Sequence, residues 1–285
     1  MAHVISRADI PRCGSEGVDG AYLPTVEDLK AQKTAFKAAG NSSKILAEGI
    51  TVDLYVHVVA GSENYEDGWI TQRELEDQIT VIQTTFAPAG ISFNFIGSQY
   101  VVNMTWVATS GHTSVTAQEM KRTLHVGDYR TLNLYIMKNF YAYGQCNIPM
   151  QQASVDLPER ILLDGCIIRP ETVPGGSQVN INEGKTATHE IGHWFGLWHT
   201  FESHGRIPPN PPTGCIGIGD EVDDTPAQQK ETFGCPEGKD TCPSLPGLDA
   251  IHNFMDYSDD SCLNEFSAGQ VERMYMIWQN YRADV

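Results

Sequence analysis

Residues 189–199 read His-Glu-Ile-Gly-His-Trp-Phe-Gly-Leu-Trp-His, which is the pattern H-E-x-x-H-x-x-G-x-x-H. Residues four apart lie on one face of a helix, so His189 and His193 can point at one metal ion with Glu190 beside them as general base. Gly196 permits the positive φ with which the chain leaves that helix and brings His199 round as a third nitrogen ligand. Three protein ligands leave the fourth position of a tetrahedral zinc open, which is typical of a catalytic site.

The trailing glycine and third histidine make this motif specific. The chain has nine histidines, and a lone H-E-x-x-H could be a surface helix with two unrelated histidines. Five fixed positions in register favour a zinc site strongly over that alternative.

Composition restricts the possible partners. The 285 residues allow one large domain or two moderate ones, and the 41% hydrophobic content allows a sizeable core. The net charge is −17 without a basic stripe, so we expect no nucleic-acid partner. Such acidity serves solubility, attraction of basic peptides, or calcium binding. No apolar run approaches the roughly 20 residues of a membrane span, so no membrane partner is expected either.

The seven cysteines indicate an oxidising compartment and therefore a secreted protein. No C-x-x-C pair occurs, which disfavours a cysteine-ligated structural zinc. The first residues lack the apolar core of a secretory signal, so a signal is expected to have been removed. Asn41 and Asn103 begin acceptor sequons for glycosylation.

Periodicity and capping patterns predict an α+β fold. The predicted helices are 25–39, 71–86, 115–124, 186–197 and 267–281, and the predicted strands are 50–59, 91–96, 100–107 and 131–137. Capping boxes open two of the helices, with Thr71 and Glu74 in one and Ser267 and Gln270 in the other. We expect a mixed α/β unit with a twisted sheet and the zinc helix, followed by an irregular Cys-rich part that closes with a helix.

The long zinc pattern resembles that of the metzincin metallopeptidases, and its surroundings resemble the pappalysin family, including its small secreted fungal members. The matching stretches are residues 189–201, 219–226 and 253–262, and the similarity extends over about residues 50–285. The resemblance implies that Met255 lies in a tight turn beneath the metal, although an ordinary core methionine is the alternative.

The resemblance also implies roles for two further residues. Tyr257 would hydrogen-bond the tetrahedral intermediate as catalytic support for Glu190, and a packing tyrosine is the alternative. Asp260 would lie at the base of the S1′ pocket and pair with Lys or Arg after the scissile bond. The alternative is a solvated loop aspartate.

The cysteine pattern takes its pairing from the same resemblance, since spacing alone leaves several connectivities open. It implies the disulfides Cys215–Cys242, Cys235–Cys262 and Cys146–Cys166. Cys13 is then left over, and Arg12-Cys13-Gly14 resembles a cysteine switch, in which the thiolate would ligate zinc in a latent form. A disordered tail cysteine, or one that links two chains, is the alternative.

These assignments predict a domain organisation. Residues 1–43 would be a propeptide and 44–285 the catalytic domain, with an upper subdomain 44–199 and a lower subdomain 200–285 that contains the Met-turn. Autoactivation is expected at Ser43–Lys44, in a polar loop where nicking is easy. Substrate is expected to add as a strand to an exposed sheet edge along the cleft.

A second metal is predicted in a Gly- and Asp-rich loop. Asp220, Asp224 and Thr225 offer the hard oxygen ligands that suit calcium, and an acidic turn is an equally good interpretation.

Together these features predict a monomeric, secreted zinc endopeptidase that acts on proteins or peptides, prefers Lys or Arg at P1′, and is made as a zymogen. The alternatives are a metzincin of different specificity and a silent zinc-stabilised binding module. Loss of a ligand or of the base would be typical of the module, and Glu190, Tyr257 and the three histidines are intact.

Overall fold

The computed structural model describes residues 10–14, 26–38, 48–108, 114–149, 157–201, 214–216 and 219–283. The predicted activation bond Ser43–Lys44 and the sequon at Asn41 lie outside the described residues. In the described part of the chain, no helix is long and apolar enough to cross a membrane.

A five-stranded sheet with the order β2-β1-β3-β5-β4 forms the scaffold. Its strands are β1 (Ile50–Ala60), β2 (Ile91–Val102), β3 (Thr131–Met137), β4 (Gly144–Cys146) and β5 (Cys166–Ile168). β1 pairs in parallel with β2 and β3, and β3 pairs in parallel with β5. Only the short edge strand β4 is antiparallel to its neighbour. All seven residues of β3 are buried, as expected for a central strand with both faces covered.

Seven α-helices occur among the described residues. They are α1 (Val26–Ala38), α2 (Gln72–Phe86), α3 (Met104–Val107), α4 (Val115–Leu124), α5 (Leu157–Leu163), α6 (Lys185–Trp194) and α7 (Ala268–Tyr281). Short 3-10 turns cover Tyr65–Asp67, Ala87–Ala89 and Pro170–Thr172. The α+β class is confirmed.

Both predicted capping boxes are present. The Thr71 hydroxyl accepts from the backbone N–H of Glu74, whose carboxylate accepts from the backbone of Thr71. Ser267 and Gln270 make the equivalent pair at the start of α7. Each box satisfies two backbone donors that the first helical turn leaves without a partner, which fixes where the helix begins.

Helix α2 packs one face into the main core. Its buried apolar residues are Leu75, Ile79, Ile82 and Phe86. They join alternating residues of β1 and the buried faces of α6 and α7 in one hydrophobic cluster. A smaller cluster, which includes Trp106, Met120 and Tyr135, covers the other face of the sheet.

Three predicted boundaries differ from the structure. Residues 91–102 form one strand rather than two, because Ile96 is the extra residue of a β-bulge in β2 and the ladder to β1 resumes at Gly97, which pairs with Tyr55. Residues 104–107 are helical because the Asn103 side chain accepts from the N–H groups of Thr105 and Trp106. The zinc helix is also shorter at its C-terminus, since it ends at Trp194 and not at Leu197.

Three disulfides occur among the described residues, one within the sheet and two within the Cys-rich part. Cys146–Cys166 links the adjacent strands β4 and β5. Cys215–Cys242 and Cys235–Cys262 lie in the Cys-rich part after the zinc helix. These are the pairs that the family resemblance implies.

Candidate active site

Helix α6 and the turn after it bring the three histidines together. Leu197 donates its N–H to Gly192 O at 3.0 Å and Gly196 donates to His193 O at 2.8 Å, which is the Schellman pattern that ends a helix. Gly196 has a φ of 85°. A Cβ there would also lie 2.9 Å from Ile277, so both the turn and the packing require glycine.

The histidine side chains are oriented by backbone carbonyls. The Nδ1–H of His189 donates to Phe254 O at 2.7 Å, and that of His193 donates to Leu197 O at 2.8 Å. Their Nε2 atoms therefore carry lone pairs. Burial and the two neighbouring imidazoles lower the pKa of His189 well below its usual value, which keeps it neutral and able to ligate a metal.

The three Nε2 atoms converge in a way that fits a tetrahedral ion. They lie 3.1 to 3.2 Å from one another. Zinc–nitrogen bonds of about 2.0–2.1 Å at tetrahedral angles would separate the nitrogens by roughly 3.3 Å. All three histidines are at most 1% exposed, and three converging acceptors without a shared cation would repel one another. The residues present therefore fit a zinc ion.

Glu190 lies beside this cluster, fully buried on the same helix. Burial raises the pKa of Glu190 to about 8, while the hydrogen bond from Cys13 and the charge of Arg12 oppose that rise. A zinc ion held by the neighbouring histidines would lower this pKa again and so favour the carboxylate that a general base needs.

The segment around Met255 forms a tight turn under the zinc helix. Asn253 Oδ1 accepts from Met255 N at 2.9 Å, and the Asn253 side chain exchanges two hydrogen bonds with Gln270 of α7. Met255 is 0% exposed, and its sulfur lies where a side chain at Gly192 would have to be. The first turn of α7 thus fixes this turn against α6.

Tyr257 follows this turn and points at the histidine cluster. Its hydroxyl is 3.2 Å from His199 Nε2, and its ring packs edge-on against that imidazole. Phe201 stacks on the His199 imidazole at 4.8 Å between ring centroids and also contacts the Tyr257 ring at 4.9 Å. The hydroxyl therefore lies next to the predicted metal position.

Residues 11–14 cover the outer edge of β4. Cys13 bridges in parallel to Gly144, where Gly14 N donates to Gly144 O at 2.8 Å and Gly144 N donates to Arg12 O at 3.2 Å. Tyr143 N donates to Pro11 O at 2.9 Å. This edge of the sheet is thus already paired with the chain's own N-terminal segment.

Cys13 lies against the predicted metal ligands. Its sulfur and the ligand nitrogens of the three histidines all lie within 4.8 Å of one another. The thiol donates to Glu190 Oε2 at 3.4 Å, and the residue is 1% exposed. This placement excludes a tail cysteine accessible to a second chain.

Arg12 lies on Asp260. Its Nη2 is 2.9 Å from Asp260 Oδ1, and its Nη1 donates to Ser258 O at 3.1 Å. Asp260 Oδ2 also accepts from the N–H groups of Glu183 and Lys185. Asp260 is 0% exposed, so the solvated-loop alternative is wrong. A buried carboxylate that pairs with a guanidinium is suited to a basic side chain.

The predicted calcium residues are only partly brought together. Asp220 Oδ1 accepts from Thr225 Oγ1 at 2.7 Å, and its Oδ2 is buried with no hydrogen-bond partner among the described residues. Burial raises the pKa of Asp220 to about 7. Asp224 instead accepts from Ser267 Oγ and Gly269 N at the start of α7, where it caps that helix.

Sequence reasoning missed two residues of this site. The sequence places Arg12 only within the Arg12-Cys13-Gly14 motif. The acidic Asp260 is the signal in the sequence that indicates an ion pair with Arg12. Gly144 gave no signal at all. A Cβ on Gly144 would lie 2.5 Å from Glu190 Cγ, so this glycine makes room for the general base.

The sequence profile described as pregnancy-associated plasma protein-A matches residues 115–279. An extracellular metalloprotease of Colletotrichum graminicola is 42% identical over 288 residues, which cover 99% of this chain and 96% of that protein. Extracellular metalloprotease 1 of Coccidioides posadasii is 38% identical over 277 residues, covering 97% and 94%.

Solved structures share the fold. Mature mirolysin of Tannerella forsythia with a cleaved peptide gives a TM-score of 0.57 at 25% identity, over 79% of this chain and 90% of that chain. A promirolysin mutant from the same organism gives a TM-score of 0.58 at 22% identity, over 94% of each chain.

Proposed function

We propose that this chain, which belongs to the pregnancy-associated plasma protein-A (pappalysin) family of zinc metalloproteases, is a secreted endopeptidase. It is made in a latent form, and once active it cuts before Lys or Arg. Its relatives are extracellular metalloproteases. As a metalloprotease it acts on protein or peptide substrates. The convergence of the three Nε2 atoms beside buried Glu190 is the observation that supports the assigned site most directly.

His189, His193 and His199 would hold the zinc ion, which when bound lowers the pKa of water towards neutrality and polarises the scissile carbonyl. Glu190 takes a proton from the attacking water and returns it to the leaving amine. The Tyr257 hydroxyl donates a hydrogen bond to the oxygen on which negative charge develops. No covalent enzyme intermediate is required, so no cysteine acts as nucleophile.

The proposed P1′ preference follows from the Arg12–Asp260 contact. A guanidinium is held by one Asp260 oxygen and by Ser258 O in a pocket next to the histidines. Once the N-terminal segment has left, a substrate Arg or Lys can occupy the position of Arg12 and make the same charge-assisted bonds.

Latency is proposed because the N-terminal segment occupies three features at once. Cys13 lies at the metal ligands, Arg12 in the basic-specific pocket, and the backbone of residues 12–14 along β4. We call residues 1–43 the prosegment and residues 44–285 the catalytic chain. The catalytic chain divides after residue 199 into an upper and a lower subdomain. Cys13 would ligate zinc in the latent form and so displace the reacting water.

Calcium in the loop at Asp220, Asp224 and Thr225 is part of the proposal. The buried Asp220 Oδ2 supports it, since an anionic oxygen without a partner is costly unless a cation or proton satisfies it.

The test combines zinc analysis with digestion of a Lys- and Arg-containing protein, read by mass spectrometry. We expect one zinc per chain, cuts before Lys or Arg, and an onset that is faster in Cys13→Ala. Glu190→Ala should keep its zinc and lose at least about 10²- to 10⁴-fold in kcat. Asp260→Asn should keep peptidase activity while losing the basic preference.

A binding module remains the competing function, and it predicts a different result. Zinc would be bound without any cleavage, even after residues 1–43 had been removed. Cuts at bonds unrelated to basic residues would retain the peptidase and remove Asp260 as its selector.

A further inference from the structure

The prosegment contacts the rest of the chain at a second place, through helix α1 (Val26–Ala38), which follows the switch in the sequence. Helix α1 packs on one face of α7 and on the neighbouring acidic loop. The acidic loop is residues 219–225. We call Asp223 of this loop, together with Glu272, Met276, Asn280 and Tyr281 of α7, the α7 face. Residues 272, 276 and 280 are spaced by four, so they lie on one side of the helix.

Charge complementarity characterises this contact. Lys30, Lys33 and Lys37 follow one another at spacings of three and four, and so form a short stripe of three lysines along one side of α1. Lys33 Nζ is 2.6 Å from Asp223 Oδ2, and Lys37 Nζ is 3.3 Å from Glu272 Oε1. The hydrogen bond and charge of Lys33 lower the pKa of Asp223 below its usual value.

Polar and apolar contacts fix the direction of the helix. The Gln32 amide donates to Tyr281 Oη at 2.9 Å, and its oxygen accepts from Asn280 at 3.3 Å. Gln32 thus lies at the C-terminal end of α7 while Lys37 lies near its N-terminal end, so the two helices are antiparallel. Phe36 is 5% exposed and joins the main core cluster with Met276 and Tyr281.

Helix α1 does not fill the space between itself, α7 and the acidic loop. A cavity of about 570 Å³ lies between α1, α7 and the acidic loop, and the three lysines of the stripe line it together with Asp223 and Glu272. The side chains of Lys37 and Asp223 are 53% and 91% exposed, so each ion pair is individually weak and sensitive to salt. The contact therefore combines one buried aromatic anchor with several weak electrostatic contacts.

Resting on the proposed latency, we propose that α1 is a docking helix that keeps the cleaved prosegment bound to the α7 face. Cleavage between α1 and β1, as at Ser43–Lys44, removes the covalent connection and leaves both docking contacts intact. With α1 bound, residues 10–14 remain at high effective concentration next to the histidines. Inhibition then ends when α1 leaves the α7 face, and not when the bond is cut.

The test uses the full chain with Glu190→Ala and the recognition sequence of an unrelated protease inserted between Ser43 and Lys44. After nicking, gel filtration at about 50 mM and about 1 M salt measures the fraction of residues 1–43 that co-elutes, since the Debye length falls to about 3 Å at 1 M. We expect retention at low salt and release at high salt. In the double variant Lys33→Glu with Lys37→Glu, we expect release already at low salt, because like charges then face one another across the contact.

Two matched variants keep the result specific. Lys138→Glu with Lys230→Glu makes the same change in net charge elsewhere on the chain and should leave retention as in the parent. Adding Asp223→Lys and Glu272→Lys to the reversed α1 should restore retention, which a merely misfolded variant could not do. Separation of the prosegment on nicking at low salt in the parent chain, or equal retention in the α1-reversed chain, would overturn the proposal.

The same inserted site in a chain with Glu190 intact separates this inference from the proposed function. Peptidase activity should rise with the loss of residues 1–43 from the complex and lag behind the nicking. A chain that has lost the prosegment and still digests nothing contradicts the proposed function, while the retention data stand on their own.

Discussion

Gly144 shows how one absent side chain shapes this site. It lies on the edge strand over Glu190, and a Cβ there would be 2.5 Å from Glu190 Cγ and 2.6 Å from Oε1. No real Cβ contact is that short, so Gly144→Ala must push the carboxylate away. Since displacement of a catalytic group by about 1 Å can cost roughly 10²-fold, we expect kcat of the mature enzyme to fall at least about tenfold with zinc retained.

Gly14→Ala is the matched control for that prediction. A Cβ on Gly14 would lie against the Tyr141 hydroxyl, which donates to Gly14 O, and Gly14 belongs to the prosegment. This variant should shorten the lag before activity and leave the activity of the mature enzyme as in the wild type. Unchanged kcat in Gly144→Ala would mean that Glu190 has another position from which it works.

Buried His57 is expected to make the free energy of unfolding decrease at acidic pH. It is 0% exposed on β1, stacked on Tyr135 and near Tyr55, with Gln99 and Asn133 at its two nitrogens. Burial lowers the pKa of His57 to about 4, against the hydrogen bond to Asn133, and His125 adds a smaller lowering.

The free energy of unfolding depends on pH wherever the folded and unfolded chains bind different numbers of protons. The folded pKa lies below the usual 6.5, so the unfolded chain binds more protons between pH 6.5 and 4. The group's contribution is intact above pH 6.5 and is lost as the pH falls, by about 3 kcal/mol at pH 4. Urea unfolding of His57→Gln should show a pH dependence weaker by that amount. An identical pH dependence in the two proteins would contradict the assignment.

At the scale of elements, the predictions that succeeded rest on local signals of defined chemistry. The capping boxes at Thr71 and Ser267 fix where two helices begin, and the glycine after the second histidine fixes where the zinc helix turns. Strands β4 and β5 have three residues each, which is too short for periodicity to be detected. The sequence predicts that a strand ends before Gly97. The prediction is wrong because a β-bulge depends on the partner strand, which the local sequence does not contain.

The same limit applies to the candidate site. The motif predicts that three histidines and a glutamate meet, because helical spacing is a local property. That Arg12 would lie on Asp260 depends on chain segments 248 residues apart. No local pattern encodes such a contact, and only complementary charge indicates it.

Helix α7 supports the site from beneath, and Gln270 is its main point of contact. The Gln270 oxygen accepts from Ser267 N at 2.9 Å and from Asn253, while its nitrogen donates to Asn253 at 3.0 Å. Gln270→Ala removes half of the capping box and leaves the buried Asn253 amide without these bonds. We expect a loss of about 1–3 kcal/mol in the free energy of unfolding, with a lower kcat because the Met255 turn is loosened. Gln270→Glu keeps the cap acceptor and should retain more stability than the alanine variant, and equal losses would show that the cap is unimportant.

At the scale of the whole molecule, the chain's C-terminal end is anchored to the zinc helix through a buried ion pair. Arg282 is 0% exposed and lies 2.8 Å from Asp164, which precedes β5. Arg282 also donates to Trp194 O, at the end of α6, and its guanidinium lies 3.6 Å from the Trp194 ring centroid. One side chain therefore joins the C-terminal helix, the zinc helix and the sheet.

Removal of only one partner of this buried ion pair should strongly destabilise the fold. Arg282→Met leaves the Asp164 carboxylate buried without its cation, and such a loss costs about 3–5 kcal/mol in the free energy of unfolding. Adding Asp164→Asn removes the uncompensated charge and keeps an oxygen acceptor for the Trp194 indole N–H, so the double variant should be more stable than Arg282→Met alone. The exposed pair Arg130–Asp128, with side chains 54% and 45% exposed, is the control, and Arg130→Met should cost at most about 1 kcal/mol. Urea unfolding of Arg282→Met, the double variant and Arg130→Met measures these losses, and a double variant less stable than Arg282→Met would show that the pair acts by packing rather than by charge.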